Sequence, residues 1–190
     1  MYILGDIGNS ETKICLIDSR NKIIKKISFQ SKINTTQKLN NIFNKLTLDF
    51  KKIDKILFCS VVPKYFSSIK RFLSNKTKLR CYEVKSLDLK SIIKIKVNFK
   101  QIGSDRLTNA ISLMNNKDNY IIVDFGTATT FDVLIKNTYN GGVIAPGIKL
   151  SLKSLSDVAT LIPKINLKKI KKVVGIDTIS AVRSGFFWGY

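Results

Sequence analysis

The chain has 190 residues and no histidine. That absence excludes Ser-His-Asp and Cys-His catalysis and His-based metal sites, and it leaves a carboxylate, Lys, Tyr or Cys as the side-chain general base. The three cysteines, Cys15, Cys59 and Cys81, show no Cys-x-x-Cys spacing. Each lies in an apolar, strand-like run, so they read as core thiols of a protein kept in a reducing compartment. No apolar stretch approaches the roughly 20 residues of a membrane span, and Asp6 interrupts any leader-like run, so the expectation is a cytoplasmic protein with no membrane contact. No Gly-x4-Gly-Lys-Ser/Thr segment occurs, and any ATP site is therefore not of the P-loop type. Acidic residues are scarce, 13 against 33 Lys and Arg, for a net charge of +20. Such a charge raises nucleic acid as a partner. Yet the lysines are spread along the chain, in short clusters at Lys25-Lys26, Lys51-Lys52 and Lys168-Lys169-Ile170-Lys171-Lys172, with no aromatic-interleaved basic motif. A solvated basic surface is the favoured reading.

What the chain does contain is one hairpin motif twice. Tyr2-Ile3-Leu4-Gly5-Asp6-Ile7-Gly8-Asn9-Ser10-Glu11-Thr12 is matched by Tyr120-Ile121-Ile122-Val123-Asp124-Phe125-Gly126-Thr127-Ala128-Thr129-Thr130. In each copy an apolar strand delivers an Asp to a Gly turn, and a second apolar strand leads away. Turn amides left uncovered by short side chains bind anionic oxygens, and the Asp can hold a cation beside them. Two such turns suggest two half-sites closing on one polyphosphate. Asp6 is the better candidate for Mg²⁺, held through water.

The 44% hydrophobic content supports a sizeable core. After the first strand pair, an Asn21-Lys22 turn and a strand over 23–29, the spacing of Leu39, Ile42, Phe43 and Leu46 predicts an amphipathic helix capped by Asn34, Thr35 or Thr36. A strand over 56–62, a helix opened by Pro63, a strand over 79–84 and a helix over 102–114 complete the order βββαβαβα. That is the order of a ribonuclease-H-like half with a mixed sheet. A second half restarts at Tyr120 with strand, Gly turn and strand. It adds a strand around Val143-Ile144, with Gly141-Gly142 and Pro146-Gly147 as turns, then helices over 149–157 and 177–188. The fold expected is α/β, two ribonuclease-H-like (actin-like ATPase) halves with mixed sheets, 1–117 and 118–190, the second incomplete. Asp132 reads as structural. Phe186, Phe187 and Trp188 read as core or subunit-interface residues.

Six segments in order resemble the type III pantothenate kinases, a family also labelled Bvg accessory factor. They are Asp6-Ile7-Gly8-Asn9-Ser10, Ser60-Val61-Val62-Pro63, Gly103-Ser104-Asp105-Arg106-Leu107-Thr108-Asn109-Ala110, Asp124 to Asp132, Gly141 to Gly147, and Gly175-Ile176-Asp177-Thr178. The resemblance implies an actin-like kinase, a homodimer, that phosphorylates pantothenate from ATP in the first step of coenzyme A synthesis. It implies ATP contacts from Asp6, Ile7, Gly8, Asn9, Ser10, Glu11, Thr12, Lys13 and Thr127, and a monovalent cation, K⁺ or NH₄⁺, at Asp124. Gly103, Ser104, Asp105 and Arg106 would hold pantothenate, with Asp105 as proton acceptor and Thr178 completing the substrate site across the dimer.

The chain departs from the family pattern in three places. Ser10 keeps the hydroxyl of the commoner Thr. Lys96 stands where a substrate-contacting Tyr is usual, and Phe99 where Pro is common, so that wall of the pocket differs. The family's later glycine-rich segment near the adenosine lies beyond Tyr190. Read as chemistry, Asp105 in the first turn of a helix is favoured in its ionised form by roughly 0.3–1 kcal/mol. An ionised Asp can accept a hydroxyl proton, and the forked guanidinium of Arg106 suits a carboxylate such as pantothenate carries. Two alternatives stand beside the kinase: a nucleic-acid-associated transcriptional regulator using the basic surface, and a catalytically impaired remnant of the kinase.

Overall fold

The computed structural model describes residues 1–31, 35–46 and 49–190. The chain packs as two units, one of residues 1–120 and 133–141 and the other of 121–132 and 142–190. The first is built on a five-stranded sheet in the order β3-β2-β1-β4-β5. Its strands are β1 (Tyr2–Ile7), β2 (Glu11–Ile17), β3 (Ile23–Gln30), β4 (Lys55–Ser60) and β5 (Cys81–Glu83). β1, β2 and β3 form an antiparallel meander, while β4 lies parallel to β1, and β5 to β4. This mixed sheet is the ribonuclease-H-like arrangement that the element order predicted.

Asn21 turns β2 into β3 at φ +63°, and Asp18 Oδ1 accepts from the Arg20 and Lys22 amides to hold that turn. Helix α1 (Thr36–Asn44) is capped by Thr35, whose side chain accepts from the Lys38 amide. Of the other two candidate caps, Thr36 is the first helical residue and Asn34 lies outside the described residues. α2 (Pro63–Thr77) opens on the predicted proline, at a position where a missing N–H costs nothing. Ile69, Phe72 and Leu73 form its buried face, and Phe72 stacks on Phe43 of α1 with centroids 5.2 Å apart. The core of this unit joins these side chains to Ile3, Ile7, Ile14, Ile56 and Phe58 of the sheet.

The second sheet runs β6-β9-β8-β7, with β6 (Lys94–Ile95), β7 (Asn119–Phe125), β8 (Ala128–Ile135) and β9 (Thr138–Pro146). The order β9-β8-β7 repeats β3-β2-β1. Where β4 lies on the far side of β1, no strand lies beside β7 among the described residues, which is an incomplete second half. Ile121 and Phe125 of β7 are accordingly 72% and 63% exposed. The remaining helices are α3 (Ser104–Leu113), α4 (Ile148–Val158) and α5 (Thr178–Trp188).

Several sequence expectations need correction. Gly141 and Gly142 do not form a turn ahead of a strand: β9 runs through both, and Gly141 sits within it at φ +104°. The paired glycines read as a turn because strands rarely place two together. The strands expected over 56–62 and 79–84 are shorter, because Val61 and Val62 lead into α2 and because Lys78 ends α2 at φ +61°, with Leu79 and Arg80 spent returning to the sheet. Of the two readings for Phe187 and Trp188, core or subunit interface, their exposure removes the core one.

Gly5 sits where the ring of Phe58, itself fully buried, crosses the neighbouring strand. A Cβ there would stand 2.0 Å from Phe58 Cε1, and the buried ring has nowhere to move. Gly5→Ala is expected to destabilise the protein by roughly 1–3 kcal/mol, the cost of overpacking a filled core, read as a lower urea midpoint at unchanged slope.

Candidate active site

The first hairpin is closed by a bond from the Gly8 amide to the Glu11 carbonyl, 3.0 Å. Its side chains divide into two sets. Ile7 and Thr12 are buried, and the Thr12 hydroxyl pairs with Ser31 Oγ at 2.8 Å, while the Ser31 amide donates to the Ser10 carbonyl. These groups fix the hairpin, so Ile7 and Thr12 can offer a ligand only their backbone. Asp6, Asn9, Ser10, Glu11 and Lys13 are exposed, with Glu11 and Lys13 3.7 Å apart.

Strand register then brings distant segments together. Asp6 lies beside Cys59 of β4, and Ile7 beside Ser60. The Ser60 carbonyl accepts the Ser104 hydroxyl at 2.8 Å, which ties the N-terminus of α3 to the end of β4. The Thr108 hydroxyl in turn donates to the Ser104 carbonyl, 2.7 Å. Gly103 caps α3 without a side chain, and the next residue but one supplies what it lacks: Asp105 Oδ1 accepts from the Arg106 amide at 2.8 Å. A Cβ on Gly103 would stand 2.3 Å from that oxygen, so glycine is what lets the carboxylate fold back. The half-buried Asp105 is thus held by its own helix.

The electrostatics at Cys59 reflect these neighbours. Burial pushes the Cys59 thiol up to about 12; the Asp6 carboxylate adds to the rise, the Thr108 hydroxyl opposes it by hydrogen bonding, and Asp105 and Glu83 add smaller contributions. Cys59 Sγ donates weakly to Asp6 Oδ1 at 3.9 Å. Burial likewise pushes the Cys81 thiol up to about 12, against the pull of Lys70. Both thiols stay protonated at neutral pH and are removed from the possible bases. Glu83 had no signal in the sequence and reaches this place through β5, while Thr108 lies in the segment 103–110 quoted above without a role of its own. Lys96 is exposed, and its amide continues the β6 pairing by donating to the Tyr139 carbonyl, 3.0 Å.

The second unit carries the second hairpin, closed by the Gly126 amide on the Ala128 carbonyl at 2.9 Å. Asp124, Gly126 and Thr127 are exposed. The Gly147 amide donates to the Thr127 carbonyl at 3.0 Å, and α4 starts at the next residue, so a helix N-terminus stands beside the hairpin. Such an end attracts anionic oxygens. Asp132 is fully buried on β8, in keeping with a structural role. Thr178 is exposed as the first residue of α5, behind a capping box in which Asp177 accepts from the Ser180 amide and the Ser180 hydroxyl answers the Asp177 amide. The Ser180 amide, then its hydroxyl, hold the Asp177 carboxyl below the ordinary carboxylate range. No group of three or more Cys, Asp or Glu side chains is placed to hold a metal by itself among the described residues.

Two Asp-bearing hairpins, on meanders of the same strand order, define an actin-like phosphotransferase fold. A solved Baf family transcriptional activator from Campylobacter jejuni superposes with a TM-score of 0.56 at 20% identity, over 98% of this chain and 74% of that one. A 2-dehydro-3-deoxygalactonokinase protein from Sinorhizobium meliloti gives 0.52 at 9% identity, over 85% of this chain and 59% of that one. At these identities the likeness shows the fold alone. Sequence goes further: residues 2–190 match the type III pantothenate kinase family. The type III pantothenate kinase of Pelagibacter ubique is 63% identical over the whole chain, which spans 77% of that protein, and that of Ehrlichia canis is 36% identical over the whole chain and 75% of its own length. The chain belongs to the type III pantothenate kinase family.

The buried thiols make a pH prediction. Each keeps its proton when folded, to about 12, but loses it near the ordinary value of 9.0 when unfolded. The unfolded state therefore binds fewer protons across that window, and stability falls as pH rises from 9 towards 12. Denaturant titrations should show a shallower decline above pH 9 for Cys59→Ala or Cys81→Ala than for the wild type. Parallel curves would show that the thiols are not protected.

Proposed function

We propose that this chain transfers the γ-phosphoryl group of ATP to the hydroxyl of pantothenate, the first step of coenzyme A biosynthesis. Beside the family match, the observation that carries the reading is the meeting of Asp6, on the first hairpin, with Ser104 and Asp105, on α3, at the end of β4. Phosphoryl transfer asks the protein for alignment and charge neutralisation rather than covalent help. The turn of the first hairpin suits phosphate oxygens, and so, within the other unit, do Thr127 and the N-terminus of α4. The Asp105 carboxylate takes the hydroxyl proton as the new O–P bond forms. The bridging P–O bond breaks and ADP leaves.

Pantothenate is held by Gly103 and Ser104 through their backbone, since the Ser104 hydroxyl is committed to Ser60. Arg106 grips its carboxylate, Lys96 lines the wall of the pocket, and Thr178 reaches the substrate from a second copy in a homodimer. Asp6 and Asp124 offer hard, exposed carboxylate oxygens, which fit Mg²⁺ and a monovalent cation respectively. When bound, those ions neutralise phosphate charge. No helix among the described residues is long and apolar enough to cross a membrane, and a cytoplasmic location is part of the kinase proposal.

Asp105→Asn is expected to lower kcat by roughly 10²–10⁴, or about 3–5 kcal/mol, while pantothenate still binds. A folded variant that keeps near-full kcat with chemistry rate-limiting removes Asp105 as the proton acceptor. Arg106→Ala should chiefly raise the pantothenate KM, by an amount matching the roughly 1.5–3 kcal/mol of a charged hydrogen bond. Turnover should require Mg²⁺ and rise when K⁺ or NH₄⁺ replaces Na⁺, and equal rates in Na⁺ and K⁺ count against the Asp124 cation.

A further inference from the structure

The stretch leading into α3 has little regular structure of its own. It is a single turn over Phe99–Gln101, capped by Asn98 Oδ1 on the Lys100 amide at 3.1 Å. What ties this stretch to the sheet is Lys85. β5 ends at Glu83, whose Oε2 accepts from the Lys85 amide at 2.8 Å, while Ser86 Oγ donates to the Glu83 carbonyl at 2.6 Å. From that turn the Lys85 ammonium reaches across to donate to the Ile102 carbonyl at 2.8 Å and the Lys100 carbonyl at 3.2 Å. It also lies 5.1 Å from the centroid of the Phe99 ring. Its partners are two carbonyls and a ring. The nearby carboxylate of Glu83 serves its backbone instead.

The Ile102 carbonyl and the Gly103 N–H belong to one planar trans peptide unit, so fixing the direction of the first fixes the second. Gly103 opens the stretch read above as the pantothenate cradle, and two residues later stands Asp105. Phe99 supplies the ring under the ammonium, so the cation is held on both sides, by carbonyl dipoles and by a π face.

We infer that Lys85 is a positioning residue: acting through the Ile102–Gly103 peptide, it holds Gly103 to Arg106 in the pose that receives pantothenate. The inference rests on the kinase reading. The test compares the 190-residue wild type with Lys85→Met, similar in length but uncharged, and Lys85→Arg. In Lys85→Met the pantothenate KM should rise roughly tenfold, as for loss of one charge-assisted hydrogen bond, with the ATP KM unchanged. Lys85→Arg, which can still donate to both carbonyls, should recover most of the loss. Hydrogen exchange followed by mass spectrometry should show the amides of residues 100–106 losing protection in Lys85→Met and regaining it in Lys85→Arg. A folded Lys85→Met with wild-type pantothenate KM and wild-type exchange overturns the inference. So does an equal rise in both KM values that Lys85→Arg fails to repair, because that marks general destabilisation. If the wild type itself turns over no pantothenate, the kinase reading falls and exchange alone decides Lys85. Protection lost in the Met variant and regained in the Arg variant upholds its role, and equal protection in all three removes it.

Discussion

The hydrogen bond from the Ser104 hydroxyl to the Ser60 carbonyl is the joint on which the candidate site depends. β4 is bound to β1 by its ladder, so whatever holds the end of β4 also holds the first hairpin. By donating to the last residue of that strand, Ser104 seats the N-terminus of α3 beside Asp6. A single bond of this kind contributes only about 0.5–1.5 kcal/mol net to stability. Its importance is directional: Ser104 is buried, and an unmet carbonyl at the end of β4 would leave the helix without a defined seat.

Two glycines serve that joint in different ways. Gly5 admits the Phe58 ring against β1, which keeps β1 and β4 in register. Gly103 leaves room for the Asp105 carboxylate to turn onto the amide of Arg106. The result is a carboxylate oriented before any substrate arrives, and an orientation set in advance is one less ordering cost on the way to the transition state. Protonated Cys59, wedged among carboxylates, separates like charges with a neutral group and adds none of its own.

The hairpins were legible in the sequence because their signals are local: alternating apolar residues, an Asp and a Gly within a few positions. Helices α2, α3 and α5 were legible for the same reason, through Pro63, Asp105 and Asp177. The sequence pattern did not carry the contacts that cross the sheet. Nothing in the order of residues says that the Ser104 hydroxyl will find Ser60, that Glu83 will stand near Cys59, or that Lys85 will reach the Ile102 carbonyl. Each depends on where a parallel strand lands, and parallel pairing joins segments far apart in the chain. Gly141 was misread for the opposite reason, since a local turn signal was overridden by the continuity of β9.

The two packing units are interleaved along the chain, the first taking residues 133–141 only after the second has taken 121–132. No single cut in the sequence can separate them. During synthesis the N-terminal sheet can form early from nearby hairpin contacts, but its unit cannot be finished until the polypeptide has emerged past Gly141. By then residues 121–132 of the other unit are already outside the ribosome. The first unit is therefore completed only after part of the second has been made, and a gene fragment that ends before residue 133 leaves both without some of their residues.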